Sequence, residues 1–228
     1  MNQDYDSYVL NPLDTTRIQP LLHQYKLNDI DFRFFISSIY NHYASYEIVQ
    51  KHNREIRRSL RTFFKDDLHF WFFIEKHDDE TSPLYGSYHR HFLMTDTSDA
   101  RWLNPSSRMK NFGCVEGVIP TTQQKMDLVK RVIRTLPFIP NGQRGTDIRP
   151  IHNLEKLLGY CTKQFERFHP SYEVIDSASS DCIDMSNFIH YKQDGINWIN
   201  RHTVLPTGTH LPLPIPYRKQ QQSKLTAV

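Results

Sequence analysis

Two histidines separated by one residue, His89 and His91, form the clearest metal-binding pattern in the chain. On a β-strand alternate residues share a face, so both imidazoles would point one way and Arg90 the other. A chain with 12 histidines readily contains such a pair by chance, so a third ligand is needed. Glu75 ends the preceding apolar segment and would reach the same end of the sheet if the two segments form a hairpin. Two imidazoles and one carboxylate, completed by water and phosphate oxygens, would suit Mg²⁺ or Mn²⁺.

Tyr160 is the candidate nucleophile. Of the 12 tyrosines, it alone has a lysine three residues later, Lys163. On a helix these two side chains would be neighbours. A tyrosine hydroxyl has a pKa of about 10 and is a poor nucleophile at neutral pH, but a metal-bound phosphate and a nearby cation would assist its attack. The alternative is a tyrosine packed against the sheet beside a lysine whose stem covers apolar surface.

Positive charge is concentrated in one segment, although the net charge is only +3. Residues 51–65 hold six lysines and arginines against the single acid Glu55. This pattern indicates either a solvated helix face or a surface that follows DNA phosphates. The candidate DNA-binding residues are Arg54, Arg57, Arg58 and Arg61, with Arg131, Arg134, Arg144 and Arg149 as further candidates.

Periodicity predicts the elements that must position these residues. Short aromatic and β-branched segments predict strands at 32–39, 69–75 and 88–94, the last two as an antiparallel hairpin with a long connection. Apolar residues at helical spacing predict helices at 44–64, 123–136 and about 151–165. This order predicts an α+β fold with a central antiparallel sheet and flanking helices.

The ends of the chain differ from the middle. Pro12 and Pro20 are expected to interrupt any long helix in a lead-in over residues 1–26, where Ile18, Leu21 and Leu22 would cover an edge of the core. Residues 27–204 are expected to form the main domain. Residues 205–228 are rich in Pro, Gln and Lys and are expected to form a flexible tail.

Composition limits the class of protein. With 228 residues, 38% of them hydrophobic, the chain can bury a full core. Its longest apolar run, 70–74, is far too short to cross a bilayer, and the N-terminus lacks the pattern of a signal peptide. We therefore expect a cytoplasmic protein without membrane contact, whose three cysteines are free thiols.

Taken together, these residues resemble the HUH endonucleases, specifically the nuclease domain of rolling-circle replication initiators. In that family a strand and a helix precede a strand pair bearing His-hydrophobic-His, and a later helix bears Tyr-x-x-Lys. Here His89-Arg90-His91 and Tyr160-Cys161-Thr162-Lys163 follow in that order. Glu75-Lys76-His77 is similar to the Glu-x-His of geminivirus-type initiators. The resemblance spans about residues 30–168 and implies an RRM-like, ferredoxin-like sandwich, with Arg90 as a departure from the pattern.

The resemblance implies metal-dependent, sequence-specific nicking and joining of single-stranded DNA at a replication origin of a plasmid, phage or virus. Tyr160 would attack the scissile phosphate, leaving a 5′-phosphotyrosine and a 3′-hydroxyl that primes synthesis, and Lys163 would position the phosphate. Glu75 ranks first as the third metal ligand. Gln164 ranks second, because single-strand transposases place a Gln or His there, and Glu80 competes by its spacing.

Three further expectations follow from the resemblance. Tyr172 could act as a second nucleophile, but Pro170 is expected to end the helix before it. The chain contains no Gly-x-x-x-x-Gly-Lys phosphate loop, so unwinding would require a separate helicase. A viral protein of this kind would act in the host nucleus.

Three other functions are compatible with the same residues. A single-strand transposase would use the same fold and tyrosine, with Gln164 as a ligand. A non-catalytic domain that binds single-stranded nucleic acid would need neither metal nor tyrosine. A hydrolytic nuclease acting through metal-bound water would leave Tyr160 without a role.

Overall fold

A four-stranded antiparallel sheet forms the centre of the protein in the computed structural model, which describes residues 5–10, 12–40, 42–140, 145–164 and 174–183. Its strands are β1 (Phe32–Ser38), β2 (Phe70–Lys76), β3 (Tyr88–Thr95) and β4 (Thr146–Pro150), in the spatial order β2-β3-β1-β4. Each neighbouring pair is antiparallel. The predicted α+β class is confirmed.

A short 3₁₀ helix (Tyr5–Ser7) precedes six α-helices that surround or connect the strands in the described part of the chain. They are α1 (Pro12–Leu27), α2 (Tyr46–Phe64), α3 (Asp99–Leu103), α4 (Ser107–Asn111), α5 (Thr122–Arg134) and α6 (Leu154–Cys161). Helix α2 connects β1 to β2, and α5 precedes β4, so the sheet is built from two β-α-β units. None of these helices is both long and apolar enough to span a bilayer.

The sheet carries a separate apolar core on each face, because successive strand residues point to opposite sides. One core contains Phe34, Phe72 and Phe92 and is covered by α2 and α5. The other contains Phe35, Trp71 and Leu93 and is covered by α1 and α6. Burial of strand β2 on both faces therefore explains its almost continuous apolar sequence, Phe70 to Ile74.

Local sequence signals define the two long helices near the first core. Ser45 caps α2 by accepting a hydrogen bond from the Ile48 amide, and Lys65 ends it in the left-handed conformation at φ 52°. Thr121 and Gln124 form a reciprocal capping box at the start of α5. Both helices lie within two residues of their predicted bounds.

Three sequence predictions are wrong. The N-terminal lead-in is not interrupted at Pro20, because α1 continues through it to Leu27. Burial of Ile18, Leu21 and Leu22 in the second core offsets the loss of the backbone hydrogen bond that Pro20 cannot donate. The predicted packing of these three residues against the core is confirmed. Strand β4 is a fourth strand, in the stretch between the predicted helices at 123–136 and 151–165, where no strand was predicted.

The third correction concerns the helix that bears Tyr160, which is shorter than predicted. Helix α6 ends at Cys161, where the Thr162 hydroxyl donates to the Leu158 carbonyl at 2.7 Å. Lys163 therefore lies in the turn that follows the helix. The predicted tail over 205–228, Tyr172 and Arg144 lie outside the described residues.

Candidate active site

The register of the β2–β3 hairpin brings the three predicted metal ligands together. Glu75 lies directly opposite His89, and His91 lies opposite Phe73, two residues before Glu75. All three ligand side chains therefore share the face of the sheet that carries α1 and α6. Arg90, between the histidines, points to the other face. The sequence prediction that alternation on a hairpin would pair these side chains agrees with this geometry.

The ligand atoms of this cluster, which we call the Glu75 cluster (Glu75, His89 and His91), lie within 4.8 Å of one another. The Glu75 Oε2 atom is 2.8 Å from His91 Nε2 and 3.6 Å from His89 Nε2. The two Nε2 atoms are 3.2 Å apart. Both Nδ1 atoms are buried without a hydrogen-bond partner among the described residues.

Two imidazole nitrogens and a carboxylate oxygen facing one point are suited to a cation. If His91 Nε2 carries a proton, it can donate that proton to Glu75. The lone pair of His89 Nε2, which faces the same nitrogen, is then left without a donor of its own. A cation shared by all three atoms would satisfy their lone pairs at once. The nearest described cation is Lys163, whose Nζ lies 2.7 Å from Glu75 Oε2.

Burial and mutual contacts set the protonation states of the cluster. Burial raises the pKa of Glu75, but hydrogen bonds from His89 and His91 outweigh it and hold that pKa well below its usual range. Burial lowers the pKa of His91 to about 4, although Glu75 partly opposes it. Burial, with the charge of His89, lowers the pKa of the adjacent His77 to about 4. At neutral pH Glu75 is ionised and His91 is neutral, the forms that bind divalent metals.

Tyr160 packs against this cluster from α6. Its ring meets the His91 ring edge-on at a centroid distance of 5.4 Å. The Lys163 ammonium lies 3.7 Å from the centre of the Tyr160 ring while it contacts Glu75. Tyr8, from the N-terminal segment, meets Tyr160 at 5.9 Å, and Tyr160 is 9% exposed. Phenol, ammonium and candidate ligands therefore form one contiguous group.

The two competing ligands occupy different places. Gln164 is buried and makes two hydrogen bonds to the backbone of Lys76, at the end of β2. Its Nε2 donates to the Lys76 carbonyl at 2.8 Å, and its Oε1 accepts from the Lys76 amide at 2.9 Å. The same Nε2 lies 3.3 Å from Glu75 Oε1. Gln164 therefore holds the end of β2 and the Glu75 carboxylate. Glu80 lies exposed in the β2–β3 connection.

The arginines of α2 lie away from the Glu75 cluster, because α2 covers the opposite face of the sheet. Arg57 forms an ion pair with Asp181, and Arg61 pairs with the same carboxylate at 3.0 Å and donates to the Leu68 carbonyl. Both arginines thus hold a distant chain segment against β2. Arg54 and Arg58 are exposed.

Sequence reasoning missed the residues that attach segment 174–183 to β2 and α2. Asp181 accepts the Phe70 amide at 2.9 Å, and Asp176 accepts from Asn53 at 2.9 Å. The Ile74 amide donates to the Val174 carbonyl at 2.7 Å, which covers the outer edge of the sheet. No local sequence signal indicates these contacts, because they join residues more than 90 positions apart.

Comparisons of the chain with protein-family models, with curated proteins and with solved structures find no match.

Proposed function

We propose that this protein nicks and rejoins single-stranded DNA in a metal-dependent reaction that passes through a covalent bond to Tyr160. The observation that carries the proposal is the contact of Tyr160 with both the Glu75 cluster and Lys163. An adjacent metal site and cation would stabilise the negative charge that develops on a phosphate when the Tyr160 phenol attacks it. In this proposal the reaction initiates rolling-circle replication, and a separate helicase unwinds the DNA.

The donor set fits a divalent metal. Glu75, His89 and His91 would hold it, because their ligand atoms already converge, with Glu75 ionised and His91 neutral. Bound Mg²⁺ or Mn²⁺ would polarise the scissile phosphate and offset the negative charge that develops on it.

The side chains of the chain itself would carry the remaining steps. The Tyr160 hydroxyl oxygen forms a bond to phosphorus while the bond to the 3′ oxygen breaks, and the phenolic proton is transferred overall to that oxygen. The product is a 5′-phosphotyrosine and a free 3′-hydroxyl, and no water is consumed, so the reverse reaction rejoins the strand. Lys163, within reach of both Glu75 and the Tyr160 ring, would position the phosphate and offset its negative charge.

Cleavage of a randomised pool of single-stranded oligonucleotides tests this proposal. The protein with Mn²⁺ is expected to release fragments whose 3′ ends a DNA polymerase extends directly. Tyr160→Phe is expected to abolish the fragments, whereas Tyr85→Phe, at an exposed tyrosine in the β2–β3 connection, retains them. Fragments that persist in Tyr160→Phe would contradict the nucleophile and favour hydrolysis by metal-bound water.

Calorimetric titration with Mn²⁺ tests the metal site separately. Glu75→Gln is expected to lose the binding isotherm, because it removes the anionic ligand. Glu80→Gln serves as the matched control and is expected to bind as the unmodified chain does, since Glu80 is exposed. Equal affinity in all three proteins would contradict the Glu75 cluster as the metal site.

A further inference from the structure

Arg90 is a fully buried guanidinium without a described carboxylate partner. It is 0% exposed, and none of the ion pairs in the described part of the chain includes it. Its Nη2 donates to the Tyr40 hydroxyl, while its Nε and Nη1 are buried without an acceptor. The Tyr40 and Phe138 rings flank it at 4.7 and 5.5 Å. Aromatic faces offset only part of the cost of burying a charge.

Two more polar groups without partners lie in the same row of the sheet. Ser38 pairs with Arg90 across β1 and β3, and Thr146 pairs with Ser38 across β4 and β1. Directly opposed residues point to the same face, so the three side chains are neighbours. Ser38 and Thr146 are each 1% exposed, and neither hydroxyl has a hydrogen-bond partner among the described residues.

This row combines positive charge with hydroxyl donors and lacks a negative charge. The Tyr40 hydroxyl does not supply this negative charge, because it is a neutral phenol hydrogen-bonded to His52 Nδ1 at 2.7 Å. A trapped water molecule would supply an acceptor, but it would leave the guanidinium without a counter-charge. An anion would satisfy both needs. Since every unpartnered atom is enclosed, the anion must be small.

We propose that Arg90, Ser38 and Thr146 form an enclosed binding site for a monatomic inorganic anion of the halide class, on the sheet face opposite the Glu75 cluster. The site is independent of the metal and the nucleophile. It also gives Arg90 a role at a position where the strand sequence otherwise calls for an apolar residue. The anion would fix the segment of β3 that bears His89 and His91.

Thermal unfolding of the full chain in chloride tests the site, with gluconate replacing chloride at constant ionic strength. Above the dissociation constant, each tenfold rise in chloride is expected to raise the melting temperature by roughly 3–6 °C. Ser38→Ala combined with Thr146→Val is expected to abolish this dependence. Ser179→Ala is the matched control, because Ser179 is also a buried serine with an unpartnered hydroxyl but lies outside the row.

The same dependence on chloride in the double variant, or none in the unmodified chain, would overturn the proposal. A response to phosphate without a response to chloride would overturn the assignment to a monatomic anion. Anomalous diffraction from crystals grown in bromide provides the second measurement. A bromide peak at hydrogen-bond distance from the Arg90 guanidinium supports the site, and bromide-bearing crystals without that peak refute it.

Discussion

Stability of the protein in acid should depend on His91, because its pKa differs between the folded and unfolded chain. Burial lowers the pKa of His91 to about 4, against a value of 6.5 for an exposed imidazole. As pH falls below 6.5 the unfolded chain takes up the proton first, so the folded state loses stability until about pH 4. At about 1.4 kcal/mol per unit, the loss that His91 causes is about 3 kcal/mol.

The substitution His91→Gln removes the imidazole that takes up this proton and keeps a side chain of similar size. Urea unfolding in the presence of EDTA, repeated between pH 7 and about pH 4.5, measures the free energy of unfolding of each protein. The unmodified chain is expected to lose stability more steeply than His91→Gln, by up to about 1.4 kcal/mol per pH unit. The difference in slope tests the prediction, whatever the substitution costs at neutral pH.

His152→Gln is the matched control, because His152 is exposed, and its slope should equal that of the unmodified chain. Glu75 acts in the same direction only at lower pH, since its pKa also lies below its usual value. Parallel lines for His91→Gln and the unmodified chain would refute the buried neutral imidazole and the protonation state assigned to the site.

Three other outcomes follow from the structure. Asp181→Ala should lower the free energy of unfolding by about 3–5 kcal/mol in urea titrations, because it removes the carboxylate that two arginines and the Phe70 amide share, whereas Arg58→Ala should change it by less than about 0.5 kcal/mol. Cys182 should react with a thiol reagent in the folded protein, and Cys161 only after unfolding, because burial raises the pKa of the Cys161 thiol. Gln164→Ala should weaken Mn²⁺ binding in calorimetry by roughly 10–100-fold, since Gln164 holds Glu75.

The sheet and its two long helices were predictable because their signals are local. Aromatic runs and alternation identify β1, β2 and β3, and caps at Ser45 and Thr121 define α2 and α5. Strand β4 was not predictable from the sequence, because Asp147, Arg149 and Pro150 resemble loop residues and the strand pairs only with β1. Tertiary packing, rather than propensity, establishes that element.

The candidate site was likewise predictable only where its signals are local. The positions of Glu75, His89 and His91 follow from a hairpin and a period of two, which the sequence displays directly. The double attachment of Gln164 to Lys76 depends on contacts across 88 residues, for which no local pattern exists. Charge alone likewise cannot separate Arg57, which pairs with Asp181, from its exposed neighbour Arg58.

Mapping of a covalent protein–DNA adduct tests the central proposal most directly. After reaction with single-stranded DNA and Mn²⁺, the denatured protein is digested with trypsin and its nucleotide-bearing peptides are identified by mass spectrometry. Tyr160 is the only tyrosine in the tryptic peptide 157–163. The proposal predicts a nucleotide on that peptide, absent in EDTA and in Tyr160→Phe. Cleavage without an adduct, or an adduct on a different tyrosine, would contradict it.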